Sequence, residues 1–311
     1  IGFLYIFHLD IIFLIIVFCT PLSFNFENLD IGGVGFYFPT EPMLLIFSGL
    51  FIFNSIYQKK YFKDFNFYKN PIILLIITQL IWIFTSSITS ELPVVSLKFL
   101  ISRSWFIIPL IFYGFHFFKS GKRAIYQFFL TFLFSMLIVT TYTLINHMIN
   151  GFSEEAGHWV MWPFFKDHTV YGATLAICLP ISLALLRQKG SPPLSKAILI
   201  LLNVILIVGL IFSYTRAAWL SVFCAGIIGL LFHFKVNFKF LLGAGLVFGL
   251  LIYSQWDSIQ LSLAKNKHEH TTDAFDEKIQ SAANVTTDAS NLERINRWAV
   301  SYTHLTLPTK A

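Results

Sequence analysis

Long runs of apolar residues constrain this chain more than any other feature of its sequence. A run of about 18 or more mostly apolar residues is long enough to cross a bilayer as an α-helix. Nine candidate runs occur, the last four of them slightly shorter, near residues 1–20, 39–57, 71–88, 94–118, 124–147, 170–186, 197–212, 217–232 and 240–256. The sequence therefore predicts an all-α fold, a polytopic transmembrane helix bundle of about nine spans over residues 1–256.

Composition excludes a water-soluble domain. The 311 residues are 56% hydrophobic and 12% charged, whereas soluble domains carry about 25% charged residues. The net charge of +6 does not indicate nucleic-acid binding, because the basic residues lie in short spacers between apolar runs and not in a solvated patch. Cys19, Cys178 and Cys224 lie far apart inside apolar runs, which is not the pattern of a disulfide framework or a thiol metal site.

The distribution of Lys and Arg predicts the orientation. The spacers after the second, fourth, sixth and eighth runs are basic, and the spacers after the first, third and fifth runs are mainly acidic. Because short cytoplasmic loops are enriched in Lys and Arg, we expect a multi-pass bacterial inner (cytoplasmic) membrane protein with a cytoplasmic N-terminus. Residues 257–300 would then begin a large periplasmic loop.

Arg216 is the most informative ionisable residue. It lies between the seventh and eighth runs, on the predicted outer side, in Ser213-Tyr214-Thr215-Arg216-Ala217-Ala218-Trp219. A planar, permanently charged guanidinium in such a turn suits a phosphate or diphosphate, which it binds through paired hydrogen bonds. The alternative is an interfacial arginine whose side chain extends to lipid phosphate.

Lys98 and Arg103 fall in the outer half of the fourth run and, five residues apart, lie on different helix faces. Arg103 is too deep to reach the outer surface easily. We expect it to line the bundle interior or a cavity, as is usual for such residues, and an internal ion pair is the structural alternative.

A third set of polar residues precedes the sixth run. Trp159, Trp162 and Tyr171 are typical of an interfacial aromatic belt. Between them, Lys166, Asp167 and His168 place three titratable groups at the mouth of a span, which makes Lys166 and His168 candidate substrate-binding residues.

The large outer segment contains one predicted helix start. Ser290 and Glu293 have capping-box spacing, and Glu293 also pairs favourably with Arg297 four residues later. Arg294 has no such partner and lies one turn before Trp298, so it is the better candidate for a ligand contact. His268-Glu269-His270 has neither helical ligand spacing nor a third ligand, and we expect no metal or cofactor.

Taken together, these features resemble the O-antigen ligase and O-antigen polymerase superfamily of bacterial membrane glycan transferases. The resemblance is carried by the many-span layout, the Ser213–Trp219 turn, the stretch 166–180 and the Arg294-x-x-x-Trp298 pattern. It implies a metal-independent enzyme that transfers a glycan from an undecaprenyl diphosphate carrier to lipid A core sugar or another glycan acceptor. By the same resemblance, Arg216 and Arg294 would bind the diphosphate, with Arg103 as a third candidate.

The C-terminal residues depart from the superfamily pattern. A histidine later in the periplasmic loop, thought to act there as general base, has no counterpart after Trp298. Residues 301–311 resemble translated sequencing-adapter sequence, so we expect a non-native tail, and His304 is not assigned as the base.

Three alternatives remain open at the level of sequence. Within the superfamily, the reaction could be repeat-unit polymerisation or glycan transfer to protein. Outside it, a transporter or flippase could use the same arginines to bind a lipid-linked glycan without chemistry. A purely structural membrane subunit is the third, and it leaves Arg216 and Arg294 unexplained.

Overall fold

A computed structural model describes residues 9–25, 37–58, 69–91, 93–187 and 196–236, together with residues 243, 250 and 253–255. In the described ranges the chain is almost entirely helical. Its longer helices are α1 (Leu9–Cys19), α2 (Thr40–Gln58), α3 (Pro71–Ile88), α4 (Pro93–Ile107), α6 (Lys122–Ile149), α8 (His168–Arg187), α9 (Lys196–Ile211) and α10 (Arg216–His233). A π-helix, Ile108–Tyr113, and the short helix α5 (Gly114–Phe118) continue α4, and the one-turn helix α7 (Glu154–Gly157) follows α6.

The regular β-structure that is described consists of one short antiparallel pair. Strand β1 (Phe24–Asn25) pairs with β2 (Tyr37–Phe38), with Phe24 opposite Phe38.

Six of the nine predicted spans are helices of membrane-spanning length and hydropathy: Thr40–Tyr57, Pro71–Ile88, Pro93–Phe118, Lys122–Ile149, His168–Arg187 and Arg216–His233. The first and seventh runs form the shorter apolar helices Leu9–Cys19 and Lys196–Ile211. Most of the ninth run, the segment 257–300 and the tail 301–311 lie outside the described residues. The chain is therefore a membrane-type helical protein with six helices long and apolar enough to cross a bilayer in its described part.

Local sequence explains where several helices begin and end. At α3, the Asn70 side chain accepts a hydrogen bond from the Ile72 N–H at 2.9 Å, and Pro71 occupies the first helical position. The first turn of a helix leaves its N–H groups without partners inside the helix. Asn70 supplies a partner for one of them, and Pro71 has no N–H that needs one. Gly121 before α6 (φ +96°) and Gly151 after it (φ +69°) adopt left-handed backbone conformations that glycine tolerates without strain.

An aromatic cluster forms the core of the N-terminal half. Phe13 of α1, Phe47 of α2 and Tyr113 of the π-helix are buried against one another, with ring centroids 4.9 to 6.1 Å apart. The Tyr113 hydroxyl donates a hydrogen bond to Asp10 Oδ1 at 2.6 Å. This contact gives the carboxylate of Asp10 a partner inside an apolar helix and joins α1 to the π-helix.

Helix α6 connects this cluster to the second packed group. It contacts α1 on one side and α8 and α9 on the other, and α8 and α9 form the most extensive helix pair in the described chain. Between these two, the Ser182 hydroxyl donates to Asn203 Oδ1 at 2.7 Å, and both residues are buried. Residues 1–218 form one compact unit that includes the first residues of α10, and residues 219–311 form a second.

Candidate functional site

Three polar segments meet at one end of the α6, α8 and α9 bundle. They are the loop that follows α6, the first turn of α8, and the turn Ser213–Arg216 that follows α9. The site is built from these segments, all of which belong to the first compact unit.

Thr215 joins the turn before Arg216 to the start of α8. Its hydroxyl lies 3.0 Å from the carbonyl oxygen of His168 and 3.1 Å from that of Ser213, both acceptors for its single hydrogen. Gly172, one turn into α8, permits this approach, because a Cβ there would lie 2.7 Å from Thr215 Oγ1 and 3.0 Å from Ser213 Oγ. Because Arg216 follows Thr215 directly, this contact holds the Arg216 backbone close to the first turn of α8.

Tyr214 anchors the same turn to the loop after α6. Its φ of +49° is uncommon for a residue with a side chain, and its hydroxyl donates to the carbonyl oxygen of Phe152 at 2.9 Å. The ring lies directly over Gly157, where a Cβ would come within 2.6 Å of Tyr214 Cδ2. The left-handed turn therefore depends on a glycine 57 positions earlier in the chain.

His147, near the end of α6, is fully buried beneath this turn. Its ring contacts Phe152, Phe212 and Tyr214, with centroids 5.4, 5.6 and 5.8 Å away. Neither ring nitrogen makes a hydrogen bond within the described structure. The carbonyl groups of His147 itself and of Phe212 are near enough to act on the ring electrostatically but do not meet hydrogen-bond geometry.

Further unpaired polar atoms lie deeper in the same helix interface. The hydroxyls of Thr140 and Tyr171 are buried without a hydrogen-bond partner of normal geometry, although both Thr140 and Thr143 lie close enough to Tyr171 to interact with it. Gly209 of α9 packs against them, since a Cβ there would lie 2.4 Å from Thr140 Cγ2 and 3.1 Å from the Tyr171 hydroxyl. Small and polar residues, and not large apolar ones, therefore set the separation of α6, α8 and α9 near this end.

His158 and His168 form a pair at the surface of the site. Their Nδ1 atoms are 3.2 Å apart, and the two rings are nearly perpendicular, with centroids separated by 4.3 Å. Asp167 Oδ1 lies 3.1 Å from His168 Nδ1. The loop after α6 thus adds a second imidazole to the titratable group that the sequence predicts at the mouth of the span.

Asp167 is also the N-cap of α8. Its carboxylate accepts hydrogen bonds from the Thr169 N–H at 2.9 Å and the Thr169 hydroxyl at 2.7 Å. Partial burial raises the pKa of this carboxyl, but the two Thr169 hydrogen bonds and the neighbouring His168 and His158 rings lower it by more. The pKa of Asp167 therefore stands below its ordinary value, so the group is an anion at neutral pH.

The predicted site residues have different outcomes. Arg216 is the first residue of α10 and is partly buried, and it lies next in sequence to the residue that contacts His168. Lys166 is exposed in the loop immediately before α8. The structure thus brings together two segments that are almost fifty residues apart in sequence, while Arg294 lies outside the described residues.

Arg103 does not occupy the interior position that the sequence predicts. Its side chain is exposed on α4, a helix whose described contacts are with α2, α3 and the π-helix. The hydropathy profile identified the span but carried no information on which of its faces is covered by other helices.

Two of the three residues predicted to form an interfacial aromatic belt are exposed, and the third is buried. Trp159 and Trp162 are 54% and 66% exposed, whereas Tyr171 is buried in the bundle. Because Tyr171 packs between Gly209 and the threonines of α6, it belongs to the helix interface and not to a belt at the membrane surface.

Sequence reasoning did not single out His147, His158 or Tyr214 as parts of a site. His158 is ten residues from His168, and because a loop joins them, no helical or strand periodicity relates the two side chains. Two sequence features point to the other residues. Tyr214 lies in the polar turn around Arg216, and His147 is a lone histidine at the end of an apolar run.

The described residues contain no group of three His, Cys, Asp or Glu side chains arranged to hold a metal ion. No protein-family model, curated protein or solved structure matches the chain. The chemistry of the site therefore has to be inferred from its own residues.

Proposed function

We propose that this protein is an O-antigen ligase-like glycan transferase of the bacterial inner membrane. In this proposal it transfers a glycan from an undecaprenyl diphosphate carrier to an acceptor such as lipid A core sugar, at the periplasmic face, without a metal. The observation that carries the proposal is the contact between Thr215 and His168, which joins the Arg216 turn to the Lys166–His168 segment.

The chemical argument begins with the leaving group. When the glycosidic bond to a lipid diphosphate breaks, negative charge develops on the departing diphosphate, and fixed cations at that position stabilise the transition state. Arg216 provides a permanent charge and paired N–H donors. It is also the first residue of an 18-residue helix, whose N-terminal N–H groups favour anions.

The turn that carries Arg216 is held from two directions. Thr215 is fixed to the α8 backbone and Tyr214 to the Phe152 carbonyl, while Gly157 supports the Tyr214 ring. A backbone fixed in this way holds a binding group in place before the substrate arrives, which lowers the ordering cost of binding.

The direct test is glycan transfer by membranes that contain Arg216→Ala, Arg216→Lys or Arg187→Ala protein. We expect Arg216→Ala to lower the transfer rate by about 100-fold or more, and Arg216→Lys to recover part of it because the charge remains but the fork geometry is lost. Arg187 is exposed at the opposite end of α8 and is the matched control. Equal transfer by Arg216→Ala and the unchanged protein would contradict the proposal.

Arg294 offers a second test of the same proposal. If it binds the diphosphate together with Arg216, Arg294→Ala should also abolish transfer while membrane insertion stays normal. Repeat-unit polymerase and protein glycosylation activities would share this donor requirement, and supplying each acceptor in turn separates them. Retained donor binding with no transfer to any acceptor would favour a flippase or transporter.

A further inference from the structure

The His158–His168 contact determines where hydrogens can reside. Two imidazole nitrogens 3.2 Å apart can be hydrogen-bonded when one carries a hydrogen and the other offers a lone pair. The pair therefore holds a single hydrogen between its two Nδ1 atoms.

Asp167 decides which ring carries that hydrogen. A carboxylate only accepts hydrogen bonds, and Asp167 Oδ1 is 3.1 Å from His168 Nδ1. The nearby carboxylate favours the hydrogen on His168 Nδ1, which donates it to His158 Nδ1. His158 Nδ1 is then the acceptor, and the neutral His158 ring carries its hydrogen on Nε2.

This arrangement limits the pair to one added proton. That proton is accommodated at His168 Nε2; burial and the neighbouring His158 ring oppose the resulting cation, while Asp167 and Glu154 favour it. A further proton on His158 Nδ1 would place two N–H groups against each other and two positive charges on adjacent rings.

Acids outnumber bases by one around the pair. Glu154 and Glu155 of α7 and Asp167 before α8 are acidic, while Lys166 precedes Asp167 and Arg216 follows the Thr215 that contacts the His168 carbonyl. A proton on the histidine pair therefore offsets the excess negative charge that would otherwise repel a phosphate at this end of the bundle.

We propose that the His158–His168 pair is a second, proton-dependent phosphate contact beside Arg216, so that the site binds a lipid-linked sugar diphosphate more tightly when the pair is protonated. This inference rests on the proposed function, because it assigns the two phosphates of the donor to two neighbouring cations. It makes His158 the residue that positions the His168 ring and gives the site a dependence on pH in the range where histidine titrates.

The test measures binding of a short-chain polyprenyl-diphosphate-linked monosaccharide to the purified full chain in nanodiscs at about pH 5.5 and about pH 8. Each phosphate of this probe has one ester bond and shares the anhydride bond, so each keeps a single negative charge at the two pH values and the probe does not titrate. The variants are His168→Gln and Arg216→Ala, with His233→Gln as the matched control, because His233 is an exposed histidine at the far end of α10.

We expect the unchanged protein and His233→Gln to bind about fivefold more tightly at the lower pH, which is the effect of one added charge at an exposed contact. His168→Gln should remove most of that difference, because it removes the ring that takes up the proton, and Arg216→Ala should weaken binding at both pH values. Binding that does not change with pH, or a pH difference that survives in His168→Gln, would overturn this inference and leave the proposed function standing. Absence of binding at both pH values would overturn both.

Discussion

At the scale of single residues, glycines and one aspartate hold the site together. Gly157, Gly172 and Gly209 each lie where a Cβ would meet a neighbouring side chain at 2.4 to 2.8 Å. Side chains of the Arg216 turn and of α6 occupy the space that a larger residue would need. The identities of these positions are therefore dictated by close approach between segments and not by helix propensity, which disfavours glycine.

Gly157→Ala tests the support of the Tyr214 turn. The new methyl group would lie 2.6 Å from Tyr214 Cδ2, so the ring or the α7 backbone has to move, and we expect a loss of about 1 to 3 kcal/mol in the free energy of unfolding. Thermal unfolding in detergent measures it. Gly49→Ala is the control, because a Cβ at Gly49 meets nothing within 4 Å and should leave stability unchanged or slightly raised. A melting temperature unaffected by Gly157→Ala would show that the turn does not need this glycine.

Asp167 makes a pH-dependent contribution to stability. Because its pKa is lower in the folded protein than its ordinary value of 3.8, its ionised form stabilises the fold above that value, and the stabilisation is lost as the pH falls through the folded-state pKa. Asp167→Asn should therefore melt below the unchanged protein near neutral pH, and the gap should narrow in acid. Glu155→Gln, an exposed neighbour, serves as the control, and a gap independent of pH would contradict the prediction.

At the scale of helices, the α6, α8 and α9 group combines close contacts of small residues with the Ser182–Asn203 hydrogen bond between α8 and α9. This is the packing expected in a bilayer, where lipid and leucine are equally apolar and burial alone does not drive helices together. Ser182 and Asn203 form the interhelical hydrogen bond, and Gly209 allows the close approach of α9 to α6. The N-terminal group instead relies on aromatic packing around Tyr113.

Gly209→Ala should push α9 away from α6. The introduced Cβ would lie 2.4 Å from Thr140 Cγ2, on a side chain whose neighbours leave it no space, so we expect destabilisation of about 1 to 3 kcal/mol. Gly226→Ala in α10 has nothing within 4 Å and is the matched helical control. If both variants unfold at the same temperature, the helices do not depend on the glycine contact.

The Ser182 to Asn203 hydrogen bond should be worth about 0.6 kcal/mol, the average for such bonds between membrane helices. A double-mutant cycle with Ser182→Ala and Asn203→Leu measures the coupling free energy directly. Additive effects of the two substitutions would mean that this bond contributes nothing beyond the separate residues.

At the scale of the whole molecule, the alternation of basic and acidic spacers predicts that the two ends of α6 lie on opposite sides of a membrane. The candidate site is at the end where α6 finishes and α8 begins. A periplasmic position for the site, which the proposed reaction requires, thus depends on the orientation of this one helix.

Membrane-impermeant thiol labelling in intact cells tests that orientation. Glu155→Cys and Ser120→Cys place exposed thiols beyond the two ends of α6. We expect labelling of Glu155→Cys from outside, and labelling of Ser120→Cys only after the membrane is permeabilised. The reverse pattern would place the site in the cytoplasm and would contradict the proposed function.

Sequence by itself determined the helical class of this protein, six of its long apolar helices and the segments in which polar chemistry is concentrated. Those features follow from hydropathy, turn residues and charge, which act over a few neighbouring positions. Tertiary structure alone decided that His158 meets His168, that His147 is buried beneath Tyr214, and that Arg103 is exposed. Each of these outcomes depends on which helix faces pack together, and that choice is made by contacts between residues far apart in the chain.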